Sequence, residues 1–305
     1  MFSAAIAVHR APRDFANIWS APRLKSQGLL FDLAWSAEVL CHFFPEIADF
    51  CQAERAFDEA YIRQDLDGCL AVLDRIEDRH GLSFWSMSRR TTVLGKLAPT
   101  KGSDYASSLI ERGGNQTPVN WLVYMLGYRS HPHVSPPAFL RQIVRSLDAP
   151  ALPQEARAFF AYCVATELPR TEAACAGILA FVETAPLIDR YIATLDVIQF
   201  LVCALPPGSS ARLAAELATQ RLCTAIADQR LILLSEVMDG STFEGILGRL
   251  EVDAADIYSA GDYAAAATLL ATHITANPVP ADLSNLLPRA TLRGAGSPNM
   301  PTAPA

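Results

Sequence analysis

Lysine is nearly missing from this sequence: Lys25, Lys96 and Lys101 are the only ones among 305 residues. Arginine carries the remaining positive charge. Lys and Arg together still number 25 against 32 Asp and Glu, a formal net charge of -7. Proteins that hold nucleic acid by its phosphates present a basic stripe. The densest basic patch here is the single pair Arg89-Arg90, so the balance argues against a nucleic-acid partner. Arginine used in place of lysine, beside abundant alanine, is associated with GC-rich bacterial genomes.

Close cysteine pairs are also missing. Cys41, Cys51, Cys69, Cys163, Cys175, Cys203 and Cys223 are odd in number and widely spaced, each in an apolar, helix-like setting. Structural zinc calls for pairs separated by about two to four residues. Reduced thiols that serve as small hydrophobes in a cytoplasmic protein are the expectation. Uncharged apolar runs of membrane length are missing as well. The window Leu187–Leu205 holds Asp189, Arg190 and Asp196, and Ala211–Met238 holds Arg212, Glu216, Arg221, Asp228, Arg230 and Glu236. Neither crosses a bilayer without burying charge. The apolar start, Phe2 to Val8, is too short for a secretory segment and has no basic residue before it. No membrane partner is expected.

Catalytic signatures are missing in turn. Gly81-Leu82-Ser83-Phe84-Trp85 lacks the second glycine and the strand of a nucleophile elbow. Gly95-Lys96 is followed by Leu97 and has no glycine five residues before Gly95, so it is no phosphate loop. The acidic groups Asp65–Asp67 and Glu77-Asp78 belong to no calcium loop closed by a glutamate; they read as a helix cap and a polar helix face. His131 and His133 flank Pro132 in a proline-rich connection and point the same way, but a metal needs a third ligand and none is near in sequence. His42, His80 and His273 stand singly on helix edges. No cofactor, metal or catalytic residue is expected.

What is present is helical periodicity, broken by Pro and Gly clusters. It predicts helices over 28–44, 45–63, 66–79, 83–97, 103–112, 118–129, 136–147, 153–166, 171–184, 187–204, 209–228, 230–238, 242–260, 263–276 and 281–287. Ser83 before Phe84-Trp85 suits an N-cap. Thr171 precedes Glu172, whose charge suits the positive end of a helix, and Pro206-Pro207-Gly208 forces a break before Ser209. The helix over 187–204 is apolar nearly all round, which places it centrally in a bundle or solenoid. The domain reading is an N-terminal arm over 1–27, a helical domain over 28–293 with subdivision points near 100 and 208, and a Pro/Ala/Gly tail or linker over 294–305.

Two segments share a register. In the C-terminal one, Tyr258, Gly261, Ala266, Leu270 and Pro278 fall at offsets that resemble the tetratricopeptide (TPR) repeat, and Ala254 fits the small residue of its first helix. In the earlier one, Tyr61, Gln64, Cys69, Leu73 and Gly81 occupy the same positions, with Gln64 for the turn glycine, Cys69 for alanine and Gly81 for the closing proline. Cysteine is small enough for a close helix contact, and glycine ends helices. The middle of the chain, 104–235, lacks this period. The resemblance implies an all-α fold of antiparallel helix pairs, stacked as a TPR-like helical array or α-solenoid. Such arrays present extended surfaces for peptides or domains.

Aromatic and arginine residues dominate interface hot spots. Trp85, Arg89 and Arg90 form one candidate partner-binding stripe, and Trp121, Tyr124 and Tyr128 a second. Phe84 and Trp85 are adjacent, so at least one of them is expected in the core. The functional expectation is a non-enzymatic scaffold or adaptor subunit of a bacterial multiprotein complex. Its partners would be proteins, a second copy of itself among them. Two alternatives are a regulatory or sensor module that takes a peptide or small molecule in a helical groove, and an enzyme whose site is assembled from distant residues.

Overall fold

The structure is a computed structural model that describes residues 14–18, 25–98, 100–113, 117–130, 134, 136–147, 156–164 and 169–238. It divides into two compact units, Met1–Leu231 and Ile232–Ala305. Of the second, only residues 232–238 are described, and they are helical. The helices expected over 242–260, 263–276 and 281–287, the tail over 294–305, and the pair His131 and His133 lie outside the described residues. So do Tyr258, Gly261, Ala266, Leu270 and Pro278.

Among the described residues the fold is all-α, with no strand and twelve α-helices. They are α1 (Leu29–His42), α2 (Phe44–Ile62), α3 (Leu66–His80), α4 (Phe84–Leu97), α5 (Lys101–Gly113), α6 (Thr117–Ser130), α7 (Pro136–Leu147), α8 (Arg157–Val164), α9 (Glu172–Val182), α10 (Leu187–Ala204), α11 (Ser210–Ala225) and α12 (Gln229–Met238). A single 3-10 turn at Phe15–Asn17 precedes them.

Local chemistry sets the boundaries. Ser83 Oγ accepts the Ser86 amide at 3.0 Å and Ser86 Oγ accepts the Ser83 amide at 3.2 Å, a reciprocal capping box that starts α4. Thr171 Oγ1 accepts the Ala174 amide at 3.1 Å, and Ser209 Oγ the Arg212 amide at 3.4 Å, so side-chain caps open α9 and α11 as well. Asp65 Oδ1 accepts the Gly68 amide at 2.9 Å to open α3. Gly81, at φ 83°, closes α3 in a conformation that costs other residues a Cβ clash. The turn between α2 and α3 is sharper still: Gln64 stands at φ 59° without being glycine.

From α2 to α11 each helix packs against its neighbour in sequence, which makes an array of stacked helix pairs. Some neighbours come very close. A Cβ on Gly177 of α9 would lie 2.5 Å from the Ala158 Cβ of α8, so the absent side chain is what lets these two helices meet. Helix α1 breaks the sequential pattern. Its main contacts are with α11, α9 and α10 rather than with α2. Trp35 and Val39 are buried with Phe31 and Phe43 packed on them, and Glu38 pairs with Arg221 of α11 at 2.7 Å. Helix α10 runs through the centre as its composition predicts. Ile188, Leu195, Val197, Ile198, Leu201 and Val202 are buried on several sides of it, and it touches α1, α2, α4, α9 and α11.

Candidate functional site

The charges in the first turn of α10 are buried in the middle of the first unit. Asp189, Arg190 and Tyr191 are consecutive, so they leave the helix about 100° apart and reach three different neighbours. Asp189 accepts the backbone amides of Phe84 at 2.7 Å and Trp85 at 2.9 Å, and thereby caps α4 from outside it. Burial pushes its carboxyl up to about 7, although both amides favour the charged form. Arg190, wholly buried, lies 6.0 Å above the Trp35 ring and donates to Ser36 Oγ at 3.5 Å. Burial lowers its guanidinium to about 10 against the support of the Glu183 charge. Glu183 in turn accepts from Trp35 Nε1 at 3.3 Å.

Tyr191 donates to Asp228 Oδ2 at 2.6 Å. Asp228 opens α12 by accepting the Arg230 amide at 2.7 Å, and its carboxylate also pairs with the Arg230 guanidinium at 2.7 Å. Arg230 then reaches Glu54 of α2 at 2.7 Å. Burial alone would raise the Asp228 carboxyl, but the Arg230 charge, its hydrogen bonds and the Tyr191 hydroxyl hold it down at about 2. The Cys51 thiol donates to Asp228 Oδ2 at 3.4 Å, and burial, followed by the Asp228 and Glu54 charges, pushes it far above the thiol range. This sulfur is a protonated packing group and a poor nucleophile. Nearly every acid and base of the hub is engaged by another hub residue, so its chemistry positions α10, α4 and the segment Asp228–Arg230. Among the described residues no three metal-ligating side chains converge.

The nominated surface residues separate into buried and open ones. Trp85 is 8% exposed and meets Phe50 edge-on at 5.1 Å and Phe57 at 5.8 Å. Phe84 is buried as well. Both therefore belong to the core, because the start of α4 is enclosed by α10 and α2. Arg90 folds back onto α3, pairing with Asp74 at 2.7 Å and Glu77 at 2.9 Å, and its charge is spent there. Arg89 is exposed, with its guanidinium 5.6 Å above the Trp85 ring and 6.0 Å from that of Phe57. Trp121 is half-buried and stacks on Phe160 at 6.2 Å, and its Nε1 donor has no partner among the described residues. Tyr124 is 50% exposed and stacks at 6.0 Å on Tyr128, which leans on Phe139 at 6.3 Å.

Beside Arg89 stand two residues that sequence reasoning missed. Arg129, near the end of α6, donates to Ser88 Oγ at 2.8 Å and to the Val164 carbonyl at 3.5 Å. Burial lowers its guanidinium, and the nearby Arg89 charge adds to the effect. Asp58 on α2 is open to solvent but crowded by protein. That crowding, with Glu54 close by, pushes its carboxyl up to about 6 against the pull of Arg89 and Arg230. A terminal arginine on a helix reads in sequence as a complement to the helix dipole, so nothing marked Arg129 as a site residue.

No family model, curated protein or solved structure matches the chain.

Proposed function

We propose that this chain is a protein–protein interaction scaffold, an adaptor subunit of a bacterial cytoplasmic complex that binds partners, or a second copy of itself, through its helical faces. The observation that carries the reading is the stacking of neighbouring helix pairs, because such an array offers more surface than a bundle of equal mass. The α2–α3 pair supports its TPR-like character. Gln64 takes a left-handed turn where that repeat has glycine. Cys69, fully buried, directs its thiol at the Phe57 carbonyl at 3.9 Å across the pair, where the repeat has a small residue. Leu73 is fully buried, and Tyr61 stacks on Phe57 at 5.9 Å with Lys96 Nζ 4.0 Å above its ring. Arg89, Tyr124 and Tyr128 are the aromatic and arginine groups left to meet a partner.

The test is affinity capture followed by quantitative mass spectrometry, with wild type, Tyr124→Ala and Leu217→Ser compared. Leu217 is 67% exposed on α11 and serves as the control. A protein retained by wild type and the control but lost from Tyr124→Ala supports the scaffold. Identical capture by all three, with a monodisperse monomer at high concentration, overturns it.

A further inference from the structure

Arg129 presents an imbalance of charge. A guanidinium carries five N–H donors. Those of Arg129 reach one hydroxyl and one carbonyl, both neutral. Among the described residues no carboxylate pairs with it. Its charged neighbour is instead Arg89, one residue along α4 from the Ser88 that it holds. Among the described residues Arg89 has no ion pair either, and it rests on the Trp85 and Phe57 rings. Partly desolvated charge is expensive unless it is paired, and two cations side by side add repulsion. Contrast Arg90, Arg212, Arg221 and Arg230 in the same unit, each of which has its acid at 2.7 to 2.8 Å.

We propose that Arg89 and Arg129, the latter held at the neighbouring Ser88, form a binding site for a carboxylate. The geometry suits it. Arg89 is exposed and supplies entry, with the Trp85 and Phe57 rings beside its guanidinium, and Arg129 is anchored to α4 and α8. Charge balance selects the class of anion. Asp58 lies within electrostatic reach of Arg89, so when ionised it leaves the group of three near a single positive charge. A carboxylate neutralises that group, whereas a phosphate dianion reverses its sign. Guanidinium groups favour such planar, bidentate acceptors. The carboxylate is that of a small acid or of an acidic side chain on a protein. This site stands whether or not the chain is a scaffold.

The experiment is a titration followed through the arginine side-chain Nε–Hε NMR signals of the full chain. Sodium acetate, an acetyl- and amide-capped glutamate peptide, its glutamine counterpart and inorganic phosphate are added separately at constant ionic strength. Acetate and the glutamate peptide are expected to shift the Arg89 and Arg129 signals together, and the glutamine peptide to leave them in place. Arg89→Ala is expected to weaken the response roughly tenfold, the loss of one charged hydrogen-bonding partner. Equal affinities for acetate and the glutamate peptide indicate a small-acid site, and a clear preference for the peptide indicates a protein side chain. Should Arg129→Ala fail to fold, Arg129→Lys keeps a charge and loses the planar fork, and it too is expected to bind more weakly. The proposal is overturned by the absence of any shift, by a shift unchanged in Arg89→Ala, or by tighter binding of phosphate than of carboxylate.

Discussion

Asp189 accepts the backbone amide of Trp85 at 2.9 Å across a separation of 104 residues. Together with the Phe84 amide at 2.7 Å, this gives α4 two N-terminal caps: its own Ser83, and a carboxylate on the central helix. The start of α4 is thus tied to the register of α10, and the aromatic residues that open α4 are drawn into the core with it.

Replacing Asp189 by alanine leaves two buried amides without a partner and is expected to cost about 2–4 kcal/mol, read by urea denaturation at neutral pH. The pH dependence has a defined sign. The folded carboxyl titrates at about 7 against an ordinary 3.8. Between those values the folded chain holds a proton that the unfolded chain releases. The proton-linked part of the Asp189 contribution is therefore full below 3.8 and is lost as pH rises through about 7, while its bonds to the two amides remain. Asp189→Asn should flatten this part of the stability profile, and a profile that keeps its slope refutes the assignment.

Asp228 behaves in the opposite sense. Held at about 2 in the folded state, it contributes stability above 3.8 that is lost as pH falls through about 2. Tyr191→Phe deletes one hydrogen bond to this charged acceptor and should cost about 1.5–3 kcal/mol. Circular dichroism during acid titration should show Asp228→Asn with a shallower loss of helix below pH ~4 than wild type.

Gln64 pays for a left-handed turn that glycine enters freely. Gln64→Gly should stabilise the chain by about 1 kcal/mol, a little less if the 3.2 Å contact from its side-chain amide to the Tyr61 carbonyl matters. A drop in melting temperature would show that this side-chain contact outweighs the backbone strain.

Cys69 tests the close crossing of α2 and α3. Cys69→Leu adds volume to a fully buried position and should destabilise by about 1–3 kcal/mol, while Cys69→Ala keeps the residue small and should cost less. The same substitution at Ala266, in the C-terminal segment of the same register, should also cost about 1–3 kcal/mol if that segment repeats the crossing. A variant that melts like its parent removes Ala266 from any such contact.

These experiments follow the line between what the sequence shows and what it conceals. Helix limits were legible because they are written locally: Ser83, Thr171, Ser209 and Gly81 each act on amides or carbonyls within a few residues. The central place of α10 was legible from its all-round apolar composition. Its polar residues were not. Asp189 and Arg190 read as interruptions in an apolar run, since the amides and rings that receive them belong to α4 and α1. Trp85 and Arg90 share their residue types with interface hot spots, and only the packing of α2 and α3 assigns one to the core and the other to a salt bridge. Arg129 was invisible for a related reason. What distinguishes it is that no acid among the described residues pairs with it, and a sequence does not record which charges fail to meet.

The position of α1 matters for the order in which the fold assembles during synthesis. Its Trp35 hydrogen-bonds to a glutamate 148 residues later, and its Glu38 pairs with an arginine 183 residues later. At about 5–20 residues per second, α1 leaves the ribosome roughly seven seconds or more before those partners exist. During that interval Phe31, Trp35, Val39 and Leu40 lack the surface that will cover them. The first α-helix among the described residues is thus among the last to dock, and the newborn chain carries an exposed apolar face that a chaperone could shield until α11 is complete.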